Sequence, residues 1–141
     1  MLNALLEPPP PDFYRSGIFI PQLPAVYISL GLKTVKPPVV IDENGDVSLY
    51  WSVEAAARAL EPIDVKNSEY VAYDSEGFVL TLECRDPCVI ITGRAYSQPA
   101  PEALVAVLKS FWERTSSTPW PVVSSASQAV AQSCDRFGCD T

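Results

Sequence analysis

The stretch from Glu69 to Thr92 limits the fold more tightly than any other part of the chain. It holds two alternating runs, Glu69-Tyr70-Val71-Ala72-Tyr73 and Phe78-Val79-Leu80-Thr81-Leu82-Glu83, joined by Asp74-Ser75-Glu76-Gly77, and then a third apolar run, Cys88-Val89-Ile90-Ile91-Thr92. A period of two places successive side chains on opposite faces of a strand, and the Asp/Ser/Gly and Asp86-Pro87 connections are turn chemistry. The stretch therefore reads as a hairpin extended into a meander. Val89-Ile90-Ile91 lacks polar interruptions and is expected to be the central strand, covered on both faces.

A second hairpin is expected upstream. Val39-Val40-Ile41 leads into Asp42-Glu43-Asn44-Gly45-Asp46 and returns through Val47-Ser48-Leu49-Tyr50, with Asn44-Gly45 supplying the two residues that tolerate positive φ. Ser52 is placed to cap a helix through Leu60, with Glu54 in its first turn and Pro62 as its stop. Pro101 opens the other helix, which runs to Thr115 with Leu104, Val107, Leu108, Phe111 and Trp112 on one stripe. The expected fold is α+β: an antiparallel sheet of about four to six strands built from two hairpins, with both helices packed on one face. At 141 residues the chain suits one core. That core is assigned to residues 17–115, where short or edge strands broken by Pro21 and Pro24 precede the first hairpin. Residues 1–16, with Pro8-Pro9-Pro10-Pro11, read as a stiff N-terminal arm, and residues 116–141 as a Ser/Cys-containing tail holding at most a short helix from Ala126 to Phe137.

Charge is distributed unevenly. The formal charge is −7, but the segment from Pro37 to Asp86 alone carries eleven acids against three bases, a net of −8. Such a field repels nucleic acid and speeds the approach of basic partners. No run reaches the ~18 apolar residues of a membrane-spanning helix, and Met1 to Leu6 lacks the basic start of a leader, so a cytoplasmic protein is expected.

Little in the sequence points to catalysis. The chain has no histidine, which removes Ser-His-Asp and Cys-His arrangements, imidazole metal sites and a histidine pH switch. No glycine-rich phosphate loop occurs. Asp42-x-Asn44-x-Asp46 has the oxygen spacing that begins a calcium loop, but Gly45 falls between the second and third ligands and Val53 stands where the closing glutamate belongs. An acidic hairpin turn is the better reading. Cys84, Cys88, Cys134 and Cys139 are the one set with metal-like spacing; free thiols are favoured over a disulfide across the Asp86-Pro87 turn, and over a four-thiolate zinc site. No cofactor is expected.

The segment from Trp51 to Thr115, with its short Ala-rich helix, the Glu69-to-Gly77 hairpin and the amphipathic helix that closes it, resembles small acidic immunity proteins of bacterial polymorphic toxin systems. The resemblance implies a non-enzymatic inhibitor that neutralises a basic toxin or effector by covering its surface. It also implies that the acids Asp42, Glu43, Asp46, Asp74 and Glu76 meet a basic protein partner, with Tyr50 and Tyr73 as aromatic anchors. The alternatives are a small enzyme using carboxylates or a cysteine, and a structural or assembly subunit.

Overall fold

Three consecutive apolar residues, Val39-Val40-Ile41, are all buried, and they set the architecture. The computed structural model describes residues 34–141; the arm expected over 1–16 and the strands expected between Gly17 and Leu32 lie outside the described residues. β1 (Val39–Glu43) is the middle strand of a three-stranded antiparallel sheet, flanked by β2 (Asp46–Tyr50) and β3 (Tyr70–Tyr73). Its pairs run from Val39↔Tyr50 to Glu43↔Asp46 on one side and from Val40↔Tyr73 to Glu43↔Tyr70 on the other. Successive side chains of β1 point to opposite faces, and each face has its own core. Val39 and Ile41 pack with Ala56, Leu60, Ala72 and Ile91, whereas Val40 packs with Leu49, Tyr73, Leu104, Leu108 and Val130.

The first core is closed by α1 (Val53–Ala59), α2 (Pro62–Lys66) and a two-stranded ribbon of β4 (Leu80–Arg85) and β5 (Cys88–Arg94). Ser52 caps α1 as its sequence implies, its Oγ accepting from Ala55 N–H at 3.0 Å. Pro62 ends that helix and also occupies the first turn of α2, where a missing N–H is tolerated. The ribbon bulges between Thr81 and Leu82, opposite Gly93, whose φ of 145° accommodates the irregularity.

The second core is closed by α3 (Pro101–Thr115) and α4 (Ala126–Phe137). Leu104, Leu108 and Trp112 recur every four residues on α3 and are all buried. Trp112 donates its indole N–H to the Thr118 carbonyl at 2.7 Å and meets Trp120 and Phe137 edge-on, which ties down the connection that follows the helix. Beyond α4, Asp140 bridges to Tyr50 in parallel, with Asp140 N–H on the Leu49 carbonyl and Trp51 N–H on the Asp140 carbonyl, each at 2.8 Å.

The structure is α+β, but it departs from the single sheet with two helices on one face. The described strands divide into sheets of three and two, and four helices cover both faces of the larger one. The expected hairpin between residues 69–73 and 78–83 is reduced to one bridge, Tyr73↔Val79, and the ladder of β3 is made with β1, its other edge left open where the buried Asp74 binds the linker inward. The strand covered on both faces is β1. In β5 the alternate residues Val89, Ile91 and Gly93 are buried while Ile90 is partly exposed, as suits a ribbon with one packed face. Residues 126–137 also do more than trail from the domain. Ala126, Ala129, Val130, Ser133 and Cys134 form a buried face of small side chains against the second core.

Candidate partner-binding surface

The β1–β2 turn carries its acids in two different states. Asn44 and Gly45 have φ of 51° and 99°, the two-residue turn that matches the twist of a hairpin. Asp42 is turned inward on this loop, its Oδ1 accepting from Gly45 N–H at 2.8 Å, and so closes the turn instead of opening a calcium loop. Arg114 of α3 donates to the Gly45 carbonyl and braces the loop from the other side. Glu43 and Asp46, directly opposite each other in the ladder, keep their carboxylates free of such bonds among the described contacts.

Glu43 shares its face of β1 with Val39 and Ile41, so its side chain emerges at the end of the first core, beside α2. There it meets Asp64 from α2 and Glu69 from the approach to β3. Their carboxylate oxygens all lie within 4.8 Å of one another. The backbone forces this meeting, because Glu69 N–H donates to the Asp64 carbonyl at 2.9 Å. Tyr70 fixes the side chain of Asp64 by donating its hydroxyl to Oδ2 at 3.2 Å, and the same hydroxyl accepts from Glu61 N–H at 3.4 Å.

Partial burial raises the Glu43 carboxyl above the ordinary glutamate range, and the charges of Asp64, Glu69, Asp46 and Glu61 raise it further. All four of these charges are acidic. The nearby ammonium of Lys66 is engaged elsewhere, with Asp86 at 2.9 Å, and this contact raises the lysine and lowers the aspartate. Three converging carboxylates can accept from an ammonium or guanidinium group, or from a hard cation. Ile63, next to Asp64 on α2, is 58% exposed and gives apolar contact area near the acids, whereas the exposed Val71 pairs with Asp42 and so belongs to the other face of the sheet.

The other expected contact residues lie elsewhere. Tyr50 is half-buried against the first core, and Tyr73 is 6% exposed in the second, so neither is an exposed anchor. Burial raises the Tyr73 hydroxyl, and the Asp42 charge adds to the effect. Asp74 is wholly buried. Its Oδ1 accepts from Glu76 N–H at 2.9 Å and Phe78 N–H at 3.0 Å, and its Oδ2 accepts from Lys36 N–H at 3.2 Å. Arg94 lies 3.8 Å from the same oxygen, 3.6 Å from Glu76, and stacks on the Phe78 ring at 3.5 Å. Of that turn only Glu76, with its side chain 46% exposed, faces outward.

All four cysteines are free and they fall into two places. Cys84 sits beside Asp86 at 3.6 Å, at the ribbon tip it shares with Cys88, while Cys134 and Cys139 belong to the second core. Among the described residues, the group of three or more acids or thiols close enough to share an ion is Glu43, Asp64 and Glu69. A cleft of about 630 Å³ lies between the starts of α3 and α4, lined by Glu76, Pro101, Glu102, Val105 and residues 123–127. The carboxylate group is not part of it, so the acids that perturb one another and the cleft are separate features. No family model, curated protein or solved structure matches the chain.

The sequence pointed to Glu43 and Asp46 but missed Asp64, Glu69 and Ile63. The available signal was the short spacing of Glu61, Asp64 and Glu69 around a proline-started turn. Their approach to Glu43 depends on the β1–β3 pairing, which is not local.

Proposed function

We propose that this protein is a non-enzymatic binding protein that uses Glu43, Asp46, Asp64 and Glu69, with the exposed Ile63 beside Asp64, to engage a basic protein, as an immunity-type inhibitor does with a toxin. The observation that carries this reading is the convergence of Glu43, Asp64 and Glu69, where burial first and then the charges of the neighbouring acids raise Glu43 and no basic charge offsets them. A lysine or arginine from a partner relieves that repulsion on binding, so the association gains from a cost already present in the free protein. The exposed Ile63 supplies an apolar contact that a set of charges alone does not. This is the toxin-neutralising role in the cytoplasm of a bacterium that the sequence resemblance implies.

The test is a low-salt pull-down with basic toxin domains as bait. Capture of the wild type that weakens as salt is raised, and is lost in the combined Glu43→Gln, Asp64→Asn and Glu69→Gln variant, is the expected result. Equal capture of the neutralised variant would sink the electrostatic reading.

A further inference from the structure

The end of α4 carries a thiol pair that the acidic surface does not use. The helix stops at Phe137, and Gly138 takes a φ of 88° while its N–H bonds back to the Cys134 carbonyl at 2.8 Å. This positive φ, with an extended ψ of 161°, lets the chain leave the helix while Gly138 stays bonded to the Cys134 carbonyl, so the next residue, Cys139, follows directly on the one tied to Cys134. Both cysteines pack in the second core, and the two thiols act on each other's titration. The following residue, Asp140, is pinned to β2 by its two backbone bonds, so Cys139 is held from both sides.

We propose that Cys134 and Cys139 are a modification site: they form a reversible intrachain disulfide by exchange with a low-molecular-weight disulfide. Cys139, the less buried of the two, attacks one sulfur of the small disulfide as its thiolate, forming a mixed disulfide and releasing one small thiolate. Cys134 then attacks the Cys139 sulfur, closing the protein disulfide and releasing the second. The protein loses two electrons and the small disulfide gains them; the two thiol protons end on the released thiols. Bridging requires the two sulfurs, packed in the same core on either side of Gly138, to close to about 2.05 Å. Burial pushes both thiols above the usual range, Cys139 to about 12, so the exchange is slow near neutrality and accelerates with pH. The bridge joins the end of α4 to the segment that pairs with β2. Cys84 and Cys88 are differently placed, standing opposite Val89 and Arg85 in the ribbon and not opposite each other.

The experiment treats the full chain with oxidised glutathione under native conditions, traps remaining thiols by alkylation and maps the peptides by mass spectrometry. The expected product links Cys134 to Cys139 with the loss of two hydrogens, leaves Cys84 and Cys88 alkylated, and reverts with dithiothreitol. Its rate rises about tenfold per pH unit between neutrality and pH 9, and Cys139→Ser leaves Cys134 alkylated. A bridge between Cys84 and Cys88 instead, a stable glutathione adduct on Cys139, or alkylation of both Cys134 and Cys139 after treatment overturns the proposal.

Discussion

Two acidic turns look alike in the sequence, Asp42-Glu43-Asn44-Gly45-Asp46 and Asp74-Ser75-Glu76-Gly77, yet the fold uses them in opposite ways. In the second, the carboxylate of Asp74 is buried and accepts from three backbone N–H groups, and the Ser75 carbonyl accepts from the hydroxyl of Ser127 at 3.3 Å. Lys36, β3, the lead-in to β4 and α4 all meet there. In the first turn only Asp42 is used internally, while Glu43 meets Asp64 and Glu69 at the surface and Asp46 stands exposed opposite Glu43 in the ladder. An acid whose neighbours are backbone donors organises a fold. One whose neighbours are other acids holds unrelieved repulsion that a cation can remove.

Removing Asp74 breaks the contrast most severely. Asp74→Ala strands buried N–H donors and the paired Arg94, and is expected to cost about 3–5 kcal/mol in urea denaturation. Asp74→Asn keeps one acceptor oxygen and should fall between the two. A loss below 1 kcal/mol for Asp74→Ala would place that carboxylate in solvent.

The glycines of the two turns rank next. Gly77 has a φ of 96°, and a Cβ there would lie 2.7 Å from the Pro101 Cα and 2.9 Å from its nitrogen, both backbone atoms. Gly77→Ala should lower stability by about 3 kcal/mol, from strain and displacement of the start of α3. At Gly45 the added Cβ meets only the end of the Arg114 side chain, at 3.2 Å, which can move. Gly45→Ala is expected to cost about 1–2 kcal/mol from backbone strain alone. Thermal melts of the two variants check the order.

A smaller effect sharpens the electrostatic half. Because the folded protein raises Glu43 above its unfolded value, the folded state binds the proton more tightly, and this group's contribution to stability falls as pH rises through the window just above 4.5. Glu43→Gln should therefore melt above the wild type at pH 7. The gap should close as pH is lowered through that window, read as the difference between the two melting temperatures. A gap independent of pH would assign the effect to packing.

Much of the local structure was legible in the sequence because it depends on near neighbours: the Ser52 cap, the Asn44-Gly45 turn, Pro101 at the start of α3 and the Leu104, Leu108, Trp112 stripe. The choice of strand partners was not. Residues 70–73 alternate equally well beside β1 or β4, and the decision rests on Asp74 drawing the following linker inward, which Asp-Ser-Glu-Gly does not distinguish from an open loop. The face of α4 was obscured by its small residues, since Ala126, Ala129 and Ser133 look like a linker in composition and act as close-packing surface only against a helix and a sheet. For the candidate surface, the acidity of the region was plain, but Glu43 meets Asp64 and Glu69 only after β1 and β3 have paired.

The most direct test of the account compares the chemical denaturation of Asp74→Asn with that of the combined Glu43→Gln, Asp64→Asn and Glu69→Gln variant at pH 7 and low salt. The account predicts opposite signs: Asp74→Asn unfolds at a lower denaturant concentration than the wild type, and the combined variant at a higher one. A combined variant that also loses stability would contradict it, because the three carboxylates would then be holding α2 to the sheet and not waiting for a cation.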